Sequence, residues 1–152
     1  MLFRSDLNAE PPLVQAKYSI AEVQELHKIS LQVPEKAAGL FVLYTYTART
    51  PEKLREALNQ WRKALEASSA PGIDHRQVDR LAARATRLLS WLNGDRTKPH
   101  QAAVCAAVEY LVCVDDGEGD ELVGGLDDDE SVLSVVERAV GAGVLEIGRA
   151  HV

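Results

Sequence analysis

The 152 residues are enough for one domain with its own core and too few for two comfortable ones. At 46% hydrophobic and 26% charged, the composition is that of an ordinary folded chain. A formal charge of −6 argues against binding nucleic acid or another polyanion, and 5% aromatics argues against a stacking platform for single strands.

The two ends read as foreign to the fold. Met1-Leu2-Phe3-Arg4-Ser5 and the run Glu146 to Val152 each match the in-frame translation of a common short-read sequencing adapter, in the correct orientations. The expectation is a single helical domain over 6–145, a fragment of a longer gene product, with 1–5 and 146–152 set aside from fold reasoning. The longest uncharged apolar-rich stretch, Ala37 to Ala48, falls short of the roughly 20 residues a bilayer span needs. Cys105 and Cys113 on one helix would lie about 12 Å apart, beyond disulfide reach. With no secretory apolar segment at its start, the chain reads as a reduced, cytoplasmic protein without a membrane span.

In chain order, Asp6 to Lys17 carries Pro11 and Pro12 with no clean period and reads as an extended lead-in. Ser19 with Glu22 forms a capping box for a first helix, followed by Ile20, Val23, His27 and Ser30 at helical spacing. Pro34 suits the first turn of a second helix, Glu35 to about Ala48. Leu40, Phe41, Val42, Leu43 and Tyr44 make that helix apolar over most of its circumference, which predicts the centre of the bundle. Thr50-Pro51, a capping hydroxyl before a proline, starts a third helix with a stripe of Leu54, Ala57, Leu58, Trp61 and Leu65.

After a loop at Ser68 to Gly72, Asp74 with Gln77 repeats the capping-box pattern for a fourth helix ending at Asn93-Gly94. Val78, Leu81, Ala82, Ala85, Leu88, Leu89 and Leu92 share one of its faces. Thr97 to Pro99 opens a fifth helix, rich in Ala and Val, through Tyr110 to Val114. Asp127 to Glu130 crowd the first turn of a sixth, where negative charge is favoured. Its core face is Val132, Leu133, Val135, Val136, Ala139 and Val140. No stretch alternates as a strand does, so the fold class is all-α, a single-domain bundle of about six helices.

Charge is segregated along the chain. Asp115 to Glu130 holds nine acids and no base, whereas Arg49 to Lys98 holds eleven bases against six acids. On the fourth helix Arg76, Arg80, Arg84 and Arg87 fall within about 80° of one another, opposite the leucine stripe. Such an arc is either a solvated face or a docking face for a protein partner or for the acidic run of the same chain. Four arginines on an acidic chain make nucleic acid an unfavoured partner.

The segment Tyr110 to Asp120, followed by Gly124-Gly125-Leu126-Asp127-Asp128, resembles the YkvA-like family of small bacterial helical proteins of unknown function. There a helix ends in Tyr-Leu, an aspartate turn and a Pro-Asp pair follow, and a glycine with an Asp-Asp pair opens the next helix. Tyr110, Asp116, Asp120, Gly125, Asp127 and Asp128 match that pattern, over a span of about 103–140. Val114 and Gly119 stand where the family has prolines, and Gly117-Glu118 replaces an apolar pair. The resemblance implies a helical scaffold and no particular reaction.

Clustered carboxylates need a neutralising partner: the sixth helix's N-terminus, the arginine arc, or a hard cation such as Ca²⁺ or Mg²⁺. The candidate metal ligands are Asp116, Asp120, Asp127 and Asp128. Read as an EF-hand loop from Asp116, Asp116, Glu118, Asp120 and Asp127 supply oxygens at the right places. Glu121 stands where that turn needs glycine, and the last ligand is not the expected glutamate. No Gly-rich phosphate loop, Cys-x-x-Cys or His-x-x-x-His pair occurs, and His27, His75 and His100 have no acid at a diagnostic spacing. Cys105 and Cys113 read as buried thiols. The function expected is therefore a non-enzymatic interaction or structural module, with a divalent-metal role for the acidic run of residues 115–130 as the alternative.

Overall fold

The computed structural model describes residues 17–113 and 126–141. They form six helices: α1 (Ile20–Ser30), α2 (Glu35–Thr47), α3 (Pro51–Ala67), α4 (His75–Trp91), α5 (Lys98–Val112) and α6 (Asp127–Val140). No strand occurs among the described residues, and the all-α single-domain bundle stands.

The helix starts follow the local chemistry. The Ser19 hydroxyl accepts from the Glu22 amide at 3.1 Å while the Glu22 carboxylate accepts from the Ser19 amide at 2.8 Å, a complete capping box. Thr50 caps α3 through the Lys53 amide, with Pro51 at the first helical position. Asp74 caps α4 by accepting from the Arg76 and Gln77 amides. The reciprocal half of that box is missing, because the Gln77 side chain reaches across to α6 instead. Gly141, at φ 82°, closes α6 in the left-handed conformation, its N–H donating to the Glu137 carbonyl at 3.0 Å.

The centre of the bundle is α5, not the α2 expected from apolar content. Ala103, Val104, Ala106, Ala107, Val108, Tyr110 and Leu111 are all buried, and α5 meets each of the other five helices. Alanine and valine let helix axes approach closely from several directions, so a helix of small side chains can be surrounded. The bulkier α2 lies chiefly against α5 and α1. It buries Ala37, Phe41 and Thr45, and leaves Val42 and Leu43 exposed.

The first helix is also turned from its expected orientation. Leu26, Ile29 and Ser30 face inward, whereas Ile20, Val23 and His27 are exposed. The inner row continues into Val33 beyond the helix, which adds a fourth buried residue to that face. The stripes of α3, α4 and α6 bury the leucines and valines that the 3.6-residue period selects; Ala57, Leu92 and Ala139 sit at the margin.

Candidate functional site

The arginine arc of α4 lies along α6. Glu130, Ser134 and Glu137 share one face of α6 at helical spacing, and Arg84 forks onto it. Its Nη2 and Nε reach the two Glu137 carboxylate oxygens at 2.7 and 3.1 Å, Nη2 also donates to Ser134 Oγ at 2.8 Å, and Nη1 meets Glu130 at 3.3 Å. The Glu137 hydrogen bonds, with the charges of Glu137 and Glu130, raise the Arg84 pKa above its usual value against the opposing effect of burial. One turn back, Arg80 stands 3.9 Å from Glu130, and the Gln77 amide donates to Glu130 at 3.0 Å and to Asp127 at 3.3 Å. Arg76 and Arg87 are exposed at the ends of the arc.

Glu130, Glu137 and Asp128 of the sixth helix therefore meet protein cations. Asp128 pairs with Lys36 of α2 at 3.0 Å, and Asp129 is buried in the first turn of α6, where the helix dipole favours a carboxylate. Asp116 and Asp120 lie outside the described residues. A four-aspartate metal site would have to draw Asp127 and Asp128 from Gln77 and Lys36. Among the described residues, no group of three His, Cys, Asp or Glu side chains could hold a metal ion.

A second ion pair joins the linker between α2 and α3 to α5. Glu109 is 7% exposed on the central helix, and Arg49 embraces it. The Arg49 amide and Nε both donate to Oε1, at 3.1 and 3.2 Å, and Nη2 donates to Oε2 at 2.6 Å. Hydrogen bonding to Glu109, ahead of its charge, raises the Arg49 pKa while burial opposes it. Sequence reasoning missed this pair, although a signal existed: Glu109 is the one Asp, Glu, Lys or Arg between Lys98 and Asp115. A lone carboxylate in an apolar helix has to find a donor or stay neutral.

The cysteines are free thiols, and both are partly buried rather than fully buried as the sequence suggested, because each lies at the edge of the α5 core face. The Tyr44 hydroxyl lies 3.1 Å from Cys113 Sγ. Burial, then the Glu109 charge, pushes the Cys105 thiol from an ordinary 9.0 up to about 11. Iodoacetamide at pH 8 is expected to alkylate Cys105 at least tenfold more slowly in the folded chain than in urea, as peptide mapping would show. Because folding raises this pKa, the stability it contributes is complete below pH 9 and is lost as pH climbs towards 11. Cys105→Ala should flatten that part of the stability–pH curve; equal rates and an unchanged curve would contradict the burial of this thiol. His100 stands 3.6 Å from Glu25, too long for a hydrogen bond, and tilts against Trp91.

Another surface feature is apolar. Ile20, Val23, Leu31, Val42 and Leu43 are the exposed large hydrophobics among the described residues, with Ile20 at 79% and Leu31 at 70%. All five come from α1, its C-cap and α2. Ile20, Val23, His27 and Leu31 fall within about 80° on one side of α1. A groove of about 100 Å³ lies between α1 and α2, lined by Val23 and Val42 of this set with Leu26, His27, Thr45 and Tyr46 among others. No helix among the described residues is long and apolar enough to cross a membrane. Comparison with protein-family models, with curated proteins and with solved structures finds no match for this chain.

Proposed function

We propose that the chain is a non-enzymatic interaction module that receives an amphipathic helix of a partner protein in the groove between α1 and α2. The observation that carries this reading is the gathering of the five exposed large apolar side chains onto two adjacent helices. Scattered apolar residues are normal on a surface, whereas exposed apolar side chains flanking a groove, as Val23 and Val42 do, are what helix-in-groove recognition uses. Ile20 to Leu31 runs about 16 Å along the axis, the length of three turns of a docked helix. The YkvA-like resemblance, which implies a scaffold without a reaction, belongs to the same proposal, as does a reduced, cytoplasmic setting in keeping with two free thiols.

Fluorescence anisotropy with a panel of labelled amphipathic helical peptides tests it, alongside light scattering on the free chain. The expected result is a monomer that binds apolar-faced helices with micromolar Kd. Val23→Asp with Val42→Asp should weaken binding at least tenfold and leave the thermal melt within a few degrees. A dimer that the same variant dissociates would assign the groove to a second copy. A monomer that binds no peptide would overturn the reading.

A further inference from the structure

A concavity of about 210 Å³ opens between the residues entering α1, the end of α2 and the first turns of α5. Lys17, Arg49 and Lys98 line it with Tyr18, Tyr44, Gln101 and Cys105, and among the described residues no acid lines it. On a chain of formal charge −6, three cations around one hollow stand against the overall balance. Glu109 already neutralises Arg49. Lys17 and Lys98 form no salt bridge among the described residues.

Both ammonium groups also approach one aromatic ring on the wall of the concavity. Lys17 Nζ lies 5.9 Å and Lys98 Nζ 5.4 Å from the centroid of the same Tyr18 ring. Lys17 is held there by donating to the Tyr46 carbonyl at 2.7 Å, and the ring is fixed by the Tyr18 hydroxyl donating to the Thr45 carbonyl. Like charges converging on one hollow repel each other, and an oxyanion between them reverses the sign of that interaction. The first turn of α5 adds the positive end of a helix dipole, and its cap residue Thr97 makes no side-chain cap bond to offset it. The Cys105 thiol, protonated at neutral pH, places no competing anion on the wall.

From this convergence we infer that the concavity binds a phosphate group, held by Lys17 and Lys98 with Arg49 at its edge. Free phosphate and the phosphate of a small organic monoester share this chemistry. The test is an amide-resolved NMR titration of the full chain at pH 7 and fixed ionic strength, with sodium phosphate, phenyl phosphate and sodium acetate in separate arms. Saturable shifts at Tyr18, Gln101 and Ala102 are expected with phosphate at millimolar Kd or tighter, and weaker or none with acetate. A tighter Kd for phenyl phosphate identifies a monoester as the natural ligand; an equal one identifies free phosphate.

Lys98→Gln should weaken binding at least fivefold. Lys98 is exposed and forms no hydrogen bond among the described residues, so this variant folds as the parent does. Lys17→Gln with Lys98→Gln should abolish the shifts. Shifts that never saturate, that acetate reproduces in full, or that survive Lys98→Gln unchanged would overturn the site.

Discussion

Replacing Leu111 by alanine is expected to lower the unfolding free energy by about 3 kcal/mol, while the same truncation at Leu43 costs less than about 0.5 kcal/mol. Leu111 is fully buried on α5, where the other helices hold the surrounding backbone in place. A site walled on every side cannot collapse around the lost side chain, so the cavity term adds to the lost transfer free energy. Leu43, by contrast, is 50% exposed on α2. Urea titration of both variants checks this: the midpoint should fall for Leu111→Ala with an unchanged slope, and stay for Leu43→Ala. For a domain of this size the larger loss corresponds to a fall in Tm of roughly 6–12 °C. Similar losses at the two positions would mean that α2 and α5 share the centre.

That contrast shows what the sequence could and could not convey about the fold. Capping residues and turn punctuation act on their immediate neighbours, so Ser19, Thr50 and Asp74 marked their helix starts from local chemistry alone. The one-sided stripes of α3, α4 and α6 were readable for the same reason, since each needs only a period. Centrality is different because it depends on how many neighbours a helix has. Hydrophobic content pointed to α2, yet side-chain size decided the matter in favour of the Ala/Val helix α5. In α1 the exposed row of Ile20 and Val23 and the buried row of Leu26 and Ile29 are both apolar, so periodicity alone could not choose between them.

The polar sites divide along the same line. The arginine arc and the acidic start of α6 were visible as charge segregation, because helical geometry places residues of one helix relative to each other. Their pairing across α4 and α6, and that of Arg49 with Glu109 across 60 residues of chain, required the tertiary fold. The hollow holding Lys17 and Lys98 is further still from sequence: its walls come from three separate segments, and no local motif announces them. The apolar groove combines both situations. Val23 and Val42 looked like core material in the chain, and only their exposure marks them as a surface for something else.

The arginine arc should prove unequal in its energetics. Arg84→Ala is expected to destabilise the folded chain by about 2 kcal/mol, and Arg80→Ala by only a few tenths. Both residues point at α6, but the Arg84 side chain is 18% exposed and makes a two-pronged bond to Glu137, whose own side chain is 17% exposed. Truncating Arg84 strands a half-buried carboxylate and removes a donor from Ser134. The desolvation already incurred by Glu137 is then uncompensated. Arg80 is 56% exposed and stands 3.9 Å from Glu130, where water screens the pair and a long side chain gains little from being held.

A double-mutant cycle of Arg84→Ala with Glu137→Ala, read by urea denaturation, should give a coupling of about 1–2 kcal/mol that survives 0.5 M salt, since partly buried pairs are screened weakly. The same variants bear on function. If Arg84 acts as an internal clasp between α4 and α6, its loss moves stability and leaves peptide binding at the α1–α2 groove unchanged within twofold. If the arc is instead a docking face, Arg84→Ala would weaken binding of a partner while the melt stayed in place. That outcome would require the Glu137 fork to open when the partner arrives.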